Sequence, residues 1–107
     1  MKIPSRFKIF GQTISVSFAP DKFTDSDCHY GFACYRLNEI QLRPSTSTLP
    51  LSDSQIEQTF WHEFTHFIIY HAGSAYSGKT EYMHQDEGFV DIVGHLIHQA
   101  ISTFEFD

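Results

Sequence analysis

The sequence predicts an α+β fold: a small, mostly antiparallel sheet of three strands packed on two helices. Three observations predict it. Ile14, Val16 and Phe18 alternate with Thr13, Ser15 and Ser17, the period of a half-buried strand. Two more short apolar stretches, 29–36 and 40–43, follow before Pro44. After them, apolar residues recur at helical spacing in two separate runs, Ile56 to Ile68 and Phe89 to Ile101. A chain of 107 residues, 41% apolar and with 11 Phe, fits one domain, residues 1–107, around one modest core.

The elements follow in order. Residues 7–18 read as the first strand, ended by a polar loop from Ala19 to Asp27. Residues 29–36 carry the aromatics of a second strand, and Leu37-Asn38-Glu39 reads as a turn. Ile40 to Arg43 forms the third strand, stopped by Pro44. Ser45 to Leu51 is a Ser/Thr/Pro linker. Ser52 with Gln55 three residues on makes a capping box for the first helix, which bears the stripe Ile56, Phe60, Phe64 and Phe67 and is expected to stop at Gly73. Gly73 to Thr80 reads as a flexible connection. The second helix starts at Tyr82 or Asp86 and runs to about Ser102, with Phe89, Ile92, Val93, Leu96, Ile97 and Ile101 as its apolar face.

Composition narrows the partners. Seven Lys plus Arg against 13 Asp plus Glu give a formal charge of −6, with no basic run, which argues against nucleic acid. No stretch approaches the roughly 20 apolar residues of a membrane span. Met1 to Arg6 has no apolar signal-peptide core, so a cytoplasmic location is expected. Cys28 and Cys34 are two cysteines, not a disulfide framework, and read as reduced thiols, with closure of a small loop as the alternative. Oligomeric state is not legible.

The chemistry concentrates in His62-Glu63-Phe64-Thr65-His66, in the middle of the first helix. There, two imidazoles one turn apart point the same way, as two ligands of one zinc ion do. Glu63, about 100° around the helix, is placed to hold a water at the open coordination position. A catalytic zinc takes a third protein ligand. His71, roughly 140° from His66 on the same helix, is poorly placed for it. Glu87 and Asp91 are one turn apart on the second helix. One carboxylate can bind the metal while the other accepts a hydrogen bond from the far nitrogen of a ligand histidine. His84, His95 and His98 compete for roles in substrate contact or proton transfer, against the plainer reading of surface or packed residues.

With those residues, the chain resembles the gluzincin zinc metallopeptidases, the thermolysin-like group, and among them the minimal single-domain minigluzincins. The resemblance covers residues 30–102. It implies a minimal zincin-like fold in which a small sheet precedes an active-site helix and a glutamate helix. It implies one Zn2+ per chain bound by His62, His66 and Glu87, with Asp91 supporting a ligand histidine, Glu63 as general base, and a peptide or protein substrate. The family's second lobe has no counterpart here. For its intermediate-stabilising His or Tyr, Tyr70, Tyr76, Tyr82, His84 and His98 are all open. The acidic segment Glu105-Phe106-Asp107 is a candidate to fill the cleft in a latent form.

The expected reaction is peptide hydrolysis, with Glu63 taking a proton from the attacking water and passing it to the leaving amine. The substrate lies extended along an edge strand, expected at Asn38 to Arg43. The alternative is a non-catalytic, zinc-stabilised interaction domain, in which the metal staples two helices. A third reading has surface histidines and no metal.

Overall fold

The computed structural model describes residues 3–9, 11–18, 30–45, 50–76 and 86–106, with the side chains of 72–76 outside that description. Its elements are β1 (Arg6–Ile9), β2 (Gln12–Phe18), β3 (Gly31–Cys34), β4 (Glu39–Leu42), α1 (Asp53–Tyr76) and α2 (Glu87–Ser102). The strands form one sheet in the order β1-β2-β4-β3. The β1–β2 and β3–β4 pairs are antiparallel and β2–β4 is parallel. The three-stranded sheet expected from the sequence is therefore corrected to a four-stranded mixed one.

The extra strand comes from splitting residues 7–18 into a hairpin. Phe7 and Ile9 face inward in β1, Ile14 and Val16 in β2, so the apolar phase flips between them. Gly11 sits at that flip with φ of 76°, a conformation glycine adopts without Cβ strain. The second turn lies where expected. Asn38, at φ 50°, stands before β4, and its amide donates to the Tyr35 carbonyl at 3.2 Å. Asn is among the few residues that adopt this left-handed conformation readily.

β4 is where the reading of an edge strand fails. It lies inside the sheet, between β2 and β3, and Ile40, Gln41 and Leu42 are all buried. The polar Gln41 is accommodated because its amide donates to Glu39 Oε1 at 2.7 Å, which also accepts from Ser17 Oγ at 3.2 Å. The edge is β3 instead, paired with β4 on one side.

One face of the sheet packs on α1. Ile14, Ile40 and Leu42 meet Phe60, Trp61 and Phe67 in the core, with Phe7 and Phe64 packed against it. Phe7 meets Phe60 edge-on at 6.0 Å and Phe64 at 5.0 Å between ring centroids. The predicted capping box is present: Gln55 N–H donates to Ser52 Oγ at 3.2 Å and Ser52 N–H to Gln55 Oε1 at 2.8 Å. The helix does not stop at Gly73 but continues to Tyr76, since a lone glycine costs a helix only about 1 kcal/mol. The rest of the connection expected at 73–80 lies outside the described residues.

α2 begins as the later of its two expected starts, with the Asp86 carboxylate accepting from Phe89 N–H at 3.0 Å. Its packed face differs from the expected one. Val90 and Gly94 are buried and Ile97 and Ile101 pack on the core, whereas Phe89, Ile92 and Leu96 are exposed. Gly94 sets this choice. A Cβ there would lie 3.1 Å from His62 Cα and from the Trp61 carbonyl oxygen, and 3.2 Å from His62 N. The α2 backbone thus lies directly on the α1 backbone at His62.

The opposing atoms at Gly94 are backbone and cannot swing aside. Gly94→Ala is therefore expected to lose up to about 2 kcal/mol, the cost of overpacking less the gain in helix propensity. Denaturant unfolding measures this, and a neutral or stabilised variant would show that the two helices part freely.

Candidate metal centre

The register of α1 separates two duties. Phe60, Phe64 and Phe67 turn toward the sheet, and the strip beside them carries His62 and His66. His66 is buried and His62 half-buried, their rings 5.0 Å apart. His62, Glu63 and His66 each offer a ligand atom within 4.8 Å of the others.

From α2, Glu87 reaches both histidines with one carboxylate. Its Oε2 lies 3.0 Å from His62 Nε2 and its Oε1 3.0 Å from His66 Nε2. Asp91, one turn later, places Oδ1 3.3 Å from His62 Nδ1. Both nitrogens of His62 therefore face carboxylates of α2, one on each side of the ring. The close approach at Gly94 makes this possible, because it brings α2 against the residue that its acids must reach.

The outer nitrogen of His66 has a partner that the sequence did not disclose. Tyr35, just beyond β3, places its hydroxyl 3.1 Å from His66 Nδ1. Burial, and then the nearby Glu63, Glu87 and Tyr70, hold its phenol above the ordinary pKa, so it stays neutral.

Glu63 is buried, and burial followed by the charge of Glu87 raises its pKa from 4.5 to about 8. It points toward β3. A Cβ on Gly31 would lie 2.5 Å from Thr59 Cγ2 and 3.1 Å from Glu63 Oε2, so glycine is what lets the edge strand close on this side chain. Gly31 and Gly94 thus admit backbone to either side of the motif helix. Neither carries a periodic or charge signal in the sequence, and a glycine ending one strand pattern or interrupting one helix is the only hint.

An open cleft of about 390 Å³ adjoins the cluster, lined by Tyr30 and Gly31, by Thr59, His62 and Glu63, and by Glu87, Asp91 and His95, among others. Two imidazole nitrogens and a carboxylate are a donor set that suits zinc. Donors around a tetrahedral zinc, each about 2.0–2.1 Å from it, stand on the order of 3.3 Å apart. Glu87 sets one carboxylate oxygen 3.0 Å from His62 Nε2 and the other 3.0 Å from His66 Nε2, near that spacing on each side. The residues fit the metal.

The other predicted candidates disperse. His95 lines the cleft, 3.9 Å from Asp91 Oδ2. His98 turns away, pairing with Glu57 at 3.3 Å and stacking beside Trp61. His71 packs on Phe67 and Tyr70, where burial lowers its pKa. Tyr70 stacks on Tyr35. Tyr82, His84 and Cys28 lie outside the described residues, as does the side chain of Tyr76, and Cys34 is a free thiol. Glu105 and Phe106 lie beyond the far end of α2. Sixteen residues of helix put Thr103 about 24 Å from Glu87, and two extended residues span about 7 Å, so Glu105 does not reach its own cleft while α2 is intact. Asp107 lies outside the described residues.

No helix among the described residues is long and apolar enough to cross a membrane. Comparison of the chain with protein-family models, curated proteins and solved structures finds no match. The assignment rests on geometry: a His-Glu-x-x-His cluster joined by a downstream glutamate, consistent with a zincin-like metal-binding motif.

The buried Glu63 makes a pH prediction for the metal-free protein. Its folded pKa lies above its unfolded value, so the folded state holds this proton more tightly. The stability it contributes is complete below about pH 4.5 and is lost progressively as pH rises to about 8. In chelator-treated samples melted across that range, the stability of wild type relative to Glu63→Gln should fall with rising pH. A flat difference would count against a buried, protonated Glu63.

Proposed function

We propose that this chain is a zinc-dependent metallopeptidase of the gluzincin kind, with residues 1–107 acting as a single minimal catalytic domain. The observation that carries the reading is the Glu87 carboxylate set against both imidazoles at 3.0 Å, with Glu63 buried beside them at the cleft. His62, His66 and Glu87 hold the metal. Glu63 also lies within ligand distance of the histidines. Glu87 is the better third ligand because its two oxygens already face the two Nε2 atoms, whereas the Glu63 carboxylate is turned toward Gly31 on β3.

Zinc bound there supplies Lewis acidity and a water of lowered pKa. The remaining work falls to the chain. Asp91 accepts the hydrogen on His62 Nδ1, which leaves Nε2 as the ligand atom and fixes the ring. Glu63 receives a proton from the attacking water and returns it to the leaving amine, a task for which a carboxyl with a pKa near neutrality is matched. Burial against Thr59 and Gly31 restricts this carboxylate to the cleft side of α1.

The substrate is a peptide in extended conformation. β3, the sheet edge that opens on the cleft at Tyr30 and Gly31, offers its backbone groups for added-strand pairing. The cleft beside Glu63 favours catalysis over the alternative of a zinc-stapled interaction domain, since it gives a substrate room next to the cluster.

Protein purified without added metal should contain one zinc per chain. Glu87→Ala should weaken zinc binding by 10-fold or more, and undiminished affinity would remove Glu87 from the ligand set. Glu63→Gln should keep the metal and lower peptide hydrolysis by about 10²–10⁴-fold, the usual worth of a general base. Hydrolysis that survives in Glu63→Gln would point to a contaminating activity or a different base.

A further inference from the structure

The two motif histidines are held by their outer nitrogens in chemically different ways. His62 Nδ1 faces a carboxylate, Asp91, at 3.3 Å, and His66 Nδ1 faces a phenol, Tyr35, at 3.1 Å. We propose that Tyr35 is the positioning residue of His66, fixing the ring and the tautomer that present Nε2 toward Glu87 and the metal. The inference rests on the zinc-site reading above and assigns this residue to it.

Three contacts place the hydroxyl. The ring of Tyr35 stacks on Tyr70, 4.3 Å away and 3° from parallel. It meets Phe67 edge-on at 5.3 Å. Its carbonyl accepts the Asn38 amide in the turn that closes the β3–β4 hairpin. Phe67 and Tyr70 belong to the turn of α1 that follows His66, so the phenol is braced by the same helix that carries the imidazole it touches. The hydroxyl's distance to Nδ1 is therefore fixed by packing that does not involve the metal.

The choice of partner has a chemical consequence. When Nε2 of His66 binds a metal, the ring proton resides on Nδ1 and donates to the Tyr35 oxygen. A phenol accepts this bond without adding charge. A second carboxylate would add another negative charge close to Glu63 and Glu87, where Glu87 already raises the pKa of the buried Glu63. Tyr35 thus orients a ligand without making the ionisation of Glu63 harder. A flipped His66 ring would lose this hydrogen bond as well as its approach to Glu87.

The test compares wild type, Tyr35→Phe and Asp91→Asn in zinc affinity, measured by chelator competition, and in metal-free unfolding. Nitrogen-15 spectra of the zinc-loaded wild type report the His66 tautomer directly. Tyr35→Phe keeps the ring and its two stacking contacts. It should raise the zinc Kd about tenfold, the lower end of the range for lost outer-sphere partners, while the metal-free protein still folds and melts cooperatively. The His66 Nδ1–H signal should be present in wild type and shifted in the variant. Equal zinc affinity with an unshifted signal would overturn the role of Tyr35 alone. So would a wild-type spectrum with zinc on Nδ1, a result that holds even if Tyr35→Phe folds poorly. A wild type that binds no zinc would overturn the metal site and this inference with it.

Discussion

Everything at the site depends on two helix backbones touching. Gly94 lies against the peptide that joins Trp61 to His62, and no side chain intervenes. From that contact the acids of α2 inherit their reach. Glu87 spans two imidazoles and Asp91 takes the far side of one of them. A small residue in the middle of α2 is therefore part of the site's construction, although it bears no functional group.

The electrostatics follow from the same closeness. Two carboxylates, Glu63 and Glu87, lie near enough that the charge of one discourages ionisation of the other, and burial of Glu63 adds to the effect. Glu87 places carboxylate oxygens 3.0 Å from Nε2 of both histidines, and Asp91 places one 3.3 Å from His62 Nδ1, where an acid can support a ligand ring.

The sequence disclosed the parts of this construction that repeat or carry charge. Alternation exposed β2, helical spacing exposed α1 and α2, and the capping box at Ser52 marked where α1 begins. The spacing of His62, Glu63 and His66, and of Glu87 and Asp91, was enough to bring five side chains together, because helix geometry is rigid over one turn. What escaped depends on tertiary placement. Position just before α1 suggests β4 as the edge, but strand order depends on pairing, not on place in the sequence. The apolar residues of α2 encircle more than one face, and the sequence had no means to say that Gly94 would choose which face packs. Tyr35 was one aromatic among several, and only the fold brings it to His66 across the end of β3.

The parallel pairing of β2 with β4 bears on how this chain acquires its shape. β1–β2 and β3–β4 are local hairpins, each able to form from neighbouring sequence. Their union, with Ser15 opposite Glu39 and Phe18 opposite Leu42, joins distant segments and must wait for chain closure. β4 pairs with both β2 and β3, and the seam between β2 and β4 is the longest-range pairing of the sheet. Once closed under the aromatic rings of α1, its amides, those of Ile40 and Leu42 among them, are the ones whose exchange with solvent reports opening of the whole domain.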